Sequence, residues 1–152
     1  MSCETTSVGH FYVVRWGSAT QQDFDRVVDE VASLRKQADR PLLYIGIMPE
    51  ELGRLDDDQR RGFMKVTENV LPHCGKVCVA VEAKGFRGAI MRSAMTTMIL
   101  LTKQWKNLVF VDSVEAALEH GQEFHLNDYG AMLSAIEQVG AGVSAPAGAG
   151  MN

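Results

Sequence analysis

Apolar and polar residues alternate along this chain in blocks that switch between strand and helix periods. His10-Phe11-Tyr12-Val13-Val14-Arg15-Trp16 is rich in aromatic and β-branched residues and predicts a first strand, ended by Gly17-Ser18. Thr20 with Asp23 three residues later forms a capping-box pattern at a helix start. Phe24, Val27, Val28, Val31 and Leu34 then recur at helical spacing, so one face of that helix is apolar until Arg40-Pro41. Leu42 to Met48 is almost wholly apolar, the pattern of a strand buried on both faces.

Asp56, with Gln59 three residues on, predicts the cap of a second helix, and Asp57 and Asp58 complement its positive end. Phe63, Val66 and Val70 mark its buried face, and Pro72 closes it. Val77 to Val81 predicts a third strand, a helix starts near Phe86, and Leu108 to Val111 predicts a fourth strand. Ser113 is positioned to cap a short helix over Val114–His120. Asn127 is the expected cap of a last helix reaching Val139, with Met132, Leu133, Ile136 and Val139 available for burial.

Strands separated by single helices imply parallel neighbours joined by right-handed crossovers. The expectation is an α/β domain with a small four- to five-stranded, mostly parallel sheet flanked by helices. Residues 1–8 read as a flexible arm, 9–121 as the domain and 122–139 as a C-terminal helical extension. Residues 140–152, mostly Gly, Ala and Pro, read as a disordered tail.

Length and composition narrow the function classes. A chain of 152 residues suits one domain with one core. Its net charge of −4 disfavours nucleic acid and anionic membranes as partners. The longest greasy run, Met98 to Leu101, is far too short to insert in a bilayer. Polar residues open the chain where a signal peptide would be apolar, and three cysteines cannot all pair within it. A reducing cytoplasm is the expected location.

The candidate chemistry is concentrated between the third and fourth strands. Lys84, Gly85, Arg87 and Gly88 form a strand-to-helix turn. In parallel α/β sheets ligands sit beyond the carboxyl ends of the strands, where helix N-termini expose free amides. This turn is therefore the candidate loop for an anion or other small ligand. It matches neither the P-loop nor Gly-x-Gly-x-x-Gly, and a tight turn with a solvated arginine explains the same residues. The helix behind it carries one apolar stripe through Ile90, Ala94, Met98, Leu101 and Trp105 and a second through Met91, Met95, Ile99 and Thr102. That is more apolar surface than one sheet contact needs, which makes Met91, Met95, Met98, Ile99 and Trp105 the candidate interface. Cover by the last helix of the same chain is the alternative.

His73, Cys74 and Cys78 lack the second ligand pair of a structural zinc site, so no metal is expected. His120, His125, Asp128 and Tyr129 show no nucleophile–base spacing, and the dipole of a helix start explains Asp56-Asp57-Asp58. No cofactor is expected.

Three segments together resemble STAS-type domains, the anti-sigma-factor antagonist and sulphate-transporter C-terminal modules with their stand-alone bacterial relatives. They are Trp16-Gly17-Ser18-Ala19-Thr20, the strand Pro41 to Met48, and Asn107 to Leu118, where a strand ending in phenylalanine meets a serine-capped helix carrying Glu-Ala-Ala-Leu. The resemblance spans residues 9 to 121. It implies a small α/β sheet flanked by helices and a non-enzymatic role in protein–protein regulation, as a homodimer or docked on a signalling partner. It also implies a phosphorylatable serine after the second buried strand. The turn from Met48 to Asp56 contains no serine or threonine, so that switch is excluded here. The alternative expectation is a domain that binds a small anion, nucleotide or lipid in its strand-end loops.

Overall fold

The computed structural model describes residues 3–52, 55–83, 85, 89, 92–93, 107–122 and 129–140. Five strands form one sheet in chain order: β1 (Glu4–Val8), β2 (Phe11–Arg15), β3 (Leu42–Met48), β4 (Cys74–Val81) and β5 (Leu108–Val111). β1 runs antiparallel to β2, and the other neighbours are parallel. Helices α1 (Gln21–Gln37), α2 (Asp57–Val70), α3 (Val114–Gln122) and α4 (Tyr129–Gln138) flank it. The expected α/β class and mostly parallel sheet are therefore present.

The strand at Glu4–Val8 corrects the reading of residues 1–8 as a loose arm. Its residues are polar or exposed on both sides, so no apolar period announces it. What orders it is the ladder with β2, in register from Glu4 opposite Arg15 to Val8 opposite Phe11. The connecting turn is only Gly9-His10, and Gly9 has φ of +57°. Two-residue hairpin turns that match strand twist need a positive φ at this place, which glycine adopts without steric cost.

The strands sort their side chains by alternation. Tyr12, Val14 and Trp16 of the first parallel segment, with Leu42, Tyr44, Val77 and Val79, pack beneath α1 and α2. Phe11, Val13, Leu43, Ile45, Ile47, Cys78 and Ala80 face the other way, under α3 and α4. When strand order follows chain order, crossovers of one hand place the connecting helices on one face. α1 and α2 obey this, and the helices after the last strand close the opposite face. α4 is thus part of the core: Met132, Ala135, Ile136 and Val139 are all buried against the sheet and α3.

The three caps form as the spacing predicts. Thr20 and Asp23 make a reciprocal capping box, Asp56 accepts from the Gln59 amide at 2.8 Å, and Ser113 accepts from the Ala116 amide at 3.1 Å. Asn127 lies outside the described residues. The third strand is longer than expected, starting at Cys74, because the chain passes from a short 3-10 turn at Leu71–His73 directly into the ladder.

Candidate functional site

The sheet ends at β1, and its exposed edge has a definite chemistry. Leu43 N–H donates to the His10 carbonyl at 2.8 Å, and Trp16 N–H to the Ile47 carbonyl at 2.9 Å. The even-numbered residues of β2 therefore turn their main-chain groups to β3. Phe11, Val13 and Arg15 turn theirs to β1, where they meet Val8, Thr6 and Glu4. That leaves Thr5 and Ser7 with N–H and C=O directed outward, away from the sheet. Among the described residues no strand pairs with this edge.

Beside the edge runs an open groove of about 730 Å³ between β1 and α1. Thr5, Ser7 and Tyr12 form its floor, and Asp25, Arg26, Asp29 and Glu30 line it from α1. Glu30 Oε1 accepts from Tyr12 Oη and from Thr5 Oγ1, both at 2.8 Å. Burial, reinforced by the Glu30 charge, pushes the Tyr12 hydroxyl well above the ordinary phenol range. Arg26 Nη2 donates to the Cys3 carbonyl at 2.8 Å and to its Sγ at 2.9 Å, tying the start of β1 to α1. Burial raises the Cys3 thiol despite that guanidinium. Arg26 and Glu30 are thus held by the protein itself. Asp25 and Asp29 are exposed, and Asp25 accepts from Gln21 at 3.0 Å.

Lys84, Arg87, Gly88, Met91, Met95, Met98, Ile99 and Trp105 lie outside the described residues. Gly85 is described and has φ of +66°, a left-handed backbone that favours glycine in this turn. Nearby, Arg92 reaches back to the Ala83 carbonyl at 3.5 Å. Asp56 caps α2, while Asp57 and Asp58 pair with Arg60 and Arg61 one turn on. His120 is half-buried in the last turn of α3, and His125 and Asp128 lie outside the described residues. Among the described residues, no three His, Cys, Asp or Glu side chains gather as a metal site.

All three thiols are free and buried. Burial lifts Cys74 to about 12 from an ordinary 9.0, and Cys78 to about 11. The native state therefore holds both protons where the unfolded chain releases them. Their stabilising contribution is intact below pH 9 and is lost as pH rises from there towards 12. Two outcomes follow: a thiol reagent at pH 8 labels Cys74 and Cys78 only as fast as the chain opens, and the melting temperature declines above pH 9. Replacing both by alanine flattens part of that decline. Stoichiometric labelling of the native chain within minutes would contradict their burial.

No helix of the described residues is long and apolar enough to cross a membrane. No family model, curated protein or solved structure matches the chain. What the geometry establishes is a small α/β domain with a five-stranded mixed sheet, whose hairpin edge faces an acidic groove.

Proposed function

We propose that this domain works by protein–protein contact, as a STAS-like regulatory module docked on a partner, with the outer edge of β1 as the contact element. The observation that carries the reading is the outward direction of the Thr5 and Ser7 main-chain groups at a sheet edge that, among the described residues, no further strand pairs and no lysine, proline or bulge interrupts. Sheet edges that are not meant to pair carry lysine, proline, a bulge or a covering segment. Over Glu4–Val8 the chain has two threonines, a serine and a valine behind one glutamate, and β1 pairs with β2 without a register shift. Addition of a strand at such an edge is an established mode of recognition. The free thiols fit a reducing, cytoplasmic setting for this role.

Ser7→Pro tests the reading selectively. The Ser7 N–H points outward, so proline removes an edge donor and leaves the ladder to β2, which Thr6 and Val8 make. Capture from native lysate with the wild-type chain and Ser7→Pro as parallel baits is expected to lose its partners in the variant. Hydrogen exchange on the recovered complex is expected to slow at Thr5 and Ser7, by about 100-fold with partner at 100 times its Kd. The same proteins on both baits, with those two amides unprotected, would sink the proposal.

A further inference from the structure

Resting on that reading of β1 as the contact element, we infer that the partner segment is an extended basic peptide. It adds antiparallel to β1 and directs alternate lysine or arginine side chains into the groove between β1 and α1.

The register follows from the edge. In an antiparallel ladder, residues that exchange hydrogen bonds lie directly opposite each other and point their side chains to the same face. Within β1, Thr5 and Ser7 are the residues with outward main-chain groups, and both place their side chains on the α1 face, where they line the groove. The two incoming residues opposite them therefore enter the groove as well. The residues between them point to the other face, towards Thr6, Val8 and α4. Val8, 38% exposed, is apolar surface available to them there.

Charge selects what enters. Among the described residues, Asp25, Asp29 and Glu30 line the groove against one cation, Arg26, whose guanidinium is already bound to Cys3. Glu30 is bridged to Tyr12 and Thr5, which leaves Asp25 and Asp29 as the carboxylates that an incoming cation meets. They lie four residues apart on α1, one above the other along the same side of the helix. Long, flexible basic side chains spaced two residues apart on a strand can reach both. Dimensions agree: the lining runs along α1 from Gln22 to Gln37, about 22 Å at 1.5 Å per residue, the length of about seven strand residues. A second copy of the chain fits less well. It would bring the net charge of −4 against the same charge, and opposite Thr5 and Ser7 it would place hydroxyls in an acidic groove.

The test is fluorescence anisotropy with a dye-labelled, end-capped heptapeptide of alternating valine and lysine. Three companions are measured: glutamate in place of lysine, N-methylation of the lysine amides, and the Asp25→Lys/Asp29→Lys protein. Both aspartates are exposed, so the double variant keeps the fold, and its melting curve verifies this. The lysine peptide is expected to bind, more weakly as salt rises. The double variant is expected to lose at least about tenfold in affinity, because like charges then face each other. N-methylation is expected to abolish binding by removing the donors aimed at β1. Equal binding of the glutamate peptide overturns the basic partner and leaves β1 as a contact edge. Binding that survives N-methylation overturns strand addition, and so does a lysine peptide that does not bind at all. Sedimentation of the wild-type chain as a dimer that Ser7→Pro dissociates assigns the edge to a second copy, and overturns the inference while keeping the contact function.

Discussion

Gly62→Ala is expected to destabilise the protein by about 3 kcal/mol, although alanine is the better helix former. Gly62 sits inside α2, buried, at the point where α2 crosses α1. A Cβ added there would lie 2.5 Å from Cζ and 2.6 Å from Cδ2 of Phe24, with Cε2 closer still. A phenyl ring could relieve such a clash only by swinging away, and this one is enclosed. Trp16 stands 5.6 Å from it and Phe63 5.1 Å, centroid to centroid, and Trp16 and Phe63 are themselves edge-on at 5.0 Å. The strain must pass into the helix pair or break the aromatic cluster. Overpacking costs about 1–3 kcal/mol and sometimes more, against a propensity gain of about 1 kcal/mol. For a chain of this length a loss of 3 kcal/mol lowers Tm by roughly 6–12 °C. Phe24→Leu in the same chain should return part of the loss, giving a coupling energy of about 1 kcal/mol or more in a double-mutant cycle. A Gly62→Ala protein melting at or above the wild type would mean that the helix gain is unopposed and the α1–α2 contact is wrong.

Gly62 also shows where a sequence stops being informative. Phe24, Phe63, Val27 and Val66 are legible as buried helix positions from their period alone, and the structure buries Phe24, Val27, Phe63 and Val66. That a glycine in the same helix is required by a ring from another helix depends on the crossing of α1 and α2, which no local pattern encodes. The strand cores and caps were readable for the opposite reason. An apolar run such as Leu42–Met48 can only be satisfied by burial on both sides, and a Thr–Asp or Asp–Gln spacing of three by a helix start.

The groove is not legible in the sequence because its floor is not. Glu4–Val8 has neither apolar alternation nor aromatic content, so periodicity assigns it to a loop. The signal that could have found it is local: Gly9-His10 as a two-residue hairpin turn, with Thr, Thr, Ser and Val before it and Phe, Tyr, Val and Val after it. Once β1 is granted, the helix face of Gln22, Asp25, Asp29, Ser33 and Gln37 gains a counterpart. Read as an isolated helix, it is simply the solvated side.

Removing α4 is expected to have the largest effect of any change considered. Periodicity marks Met132, Leu133, Ile136 and Val139 for burial, but the resemblance ends at residue 121, so 122–139 reads as an extension of the domain. In the structure α4 packs on β1 and β2, and its side chains share one core cluster with Phe11, Val13, Leu43 and Ile45, each fully buried. Fully burying a Met, Ile or Val side chain contributes about 1.5–3 kcal/mol. Three of them approach the whole net stability of a domain, about 5–15 kcal/mol. A chain ending at Gln122 should therefore fail to melt cooperatively and should bind hydrophobic dyes through the uncovered sheet face. Point substitutions grade the same claim. Ile136→Ala removes a side chain with no exposure and should cost about 2–5 kcal/mol, since the cavity adds to the lost transfer energy. Gln138→Ala, one helix position from that face, loses only an exposed hydrogen bond from Thr6 at 3.0 Å and should change stability by less than about 0.5 kcal/mol. If the shortened chain melts like the whole one, the sheet face under α4 is not a core. The β1–β2 hairpin would then stand independently of α4, although α4 packs against both of its strands.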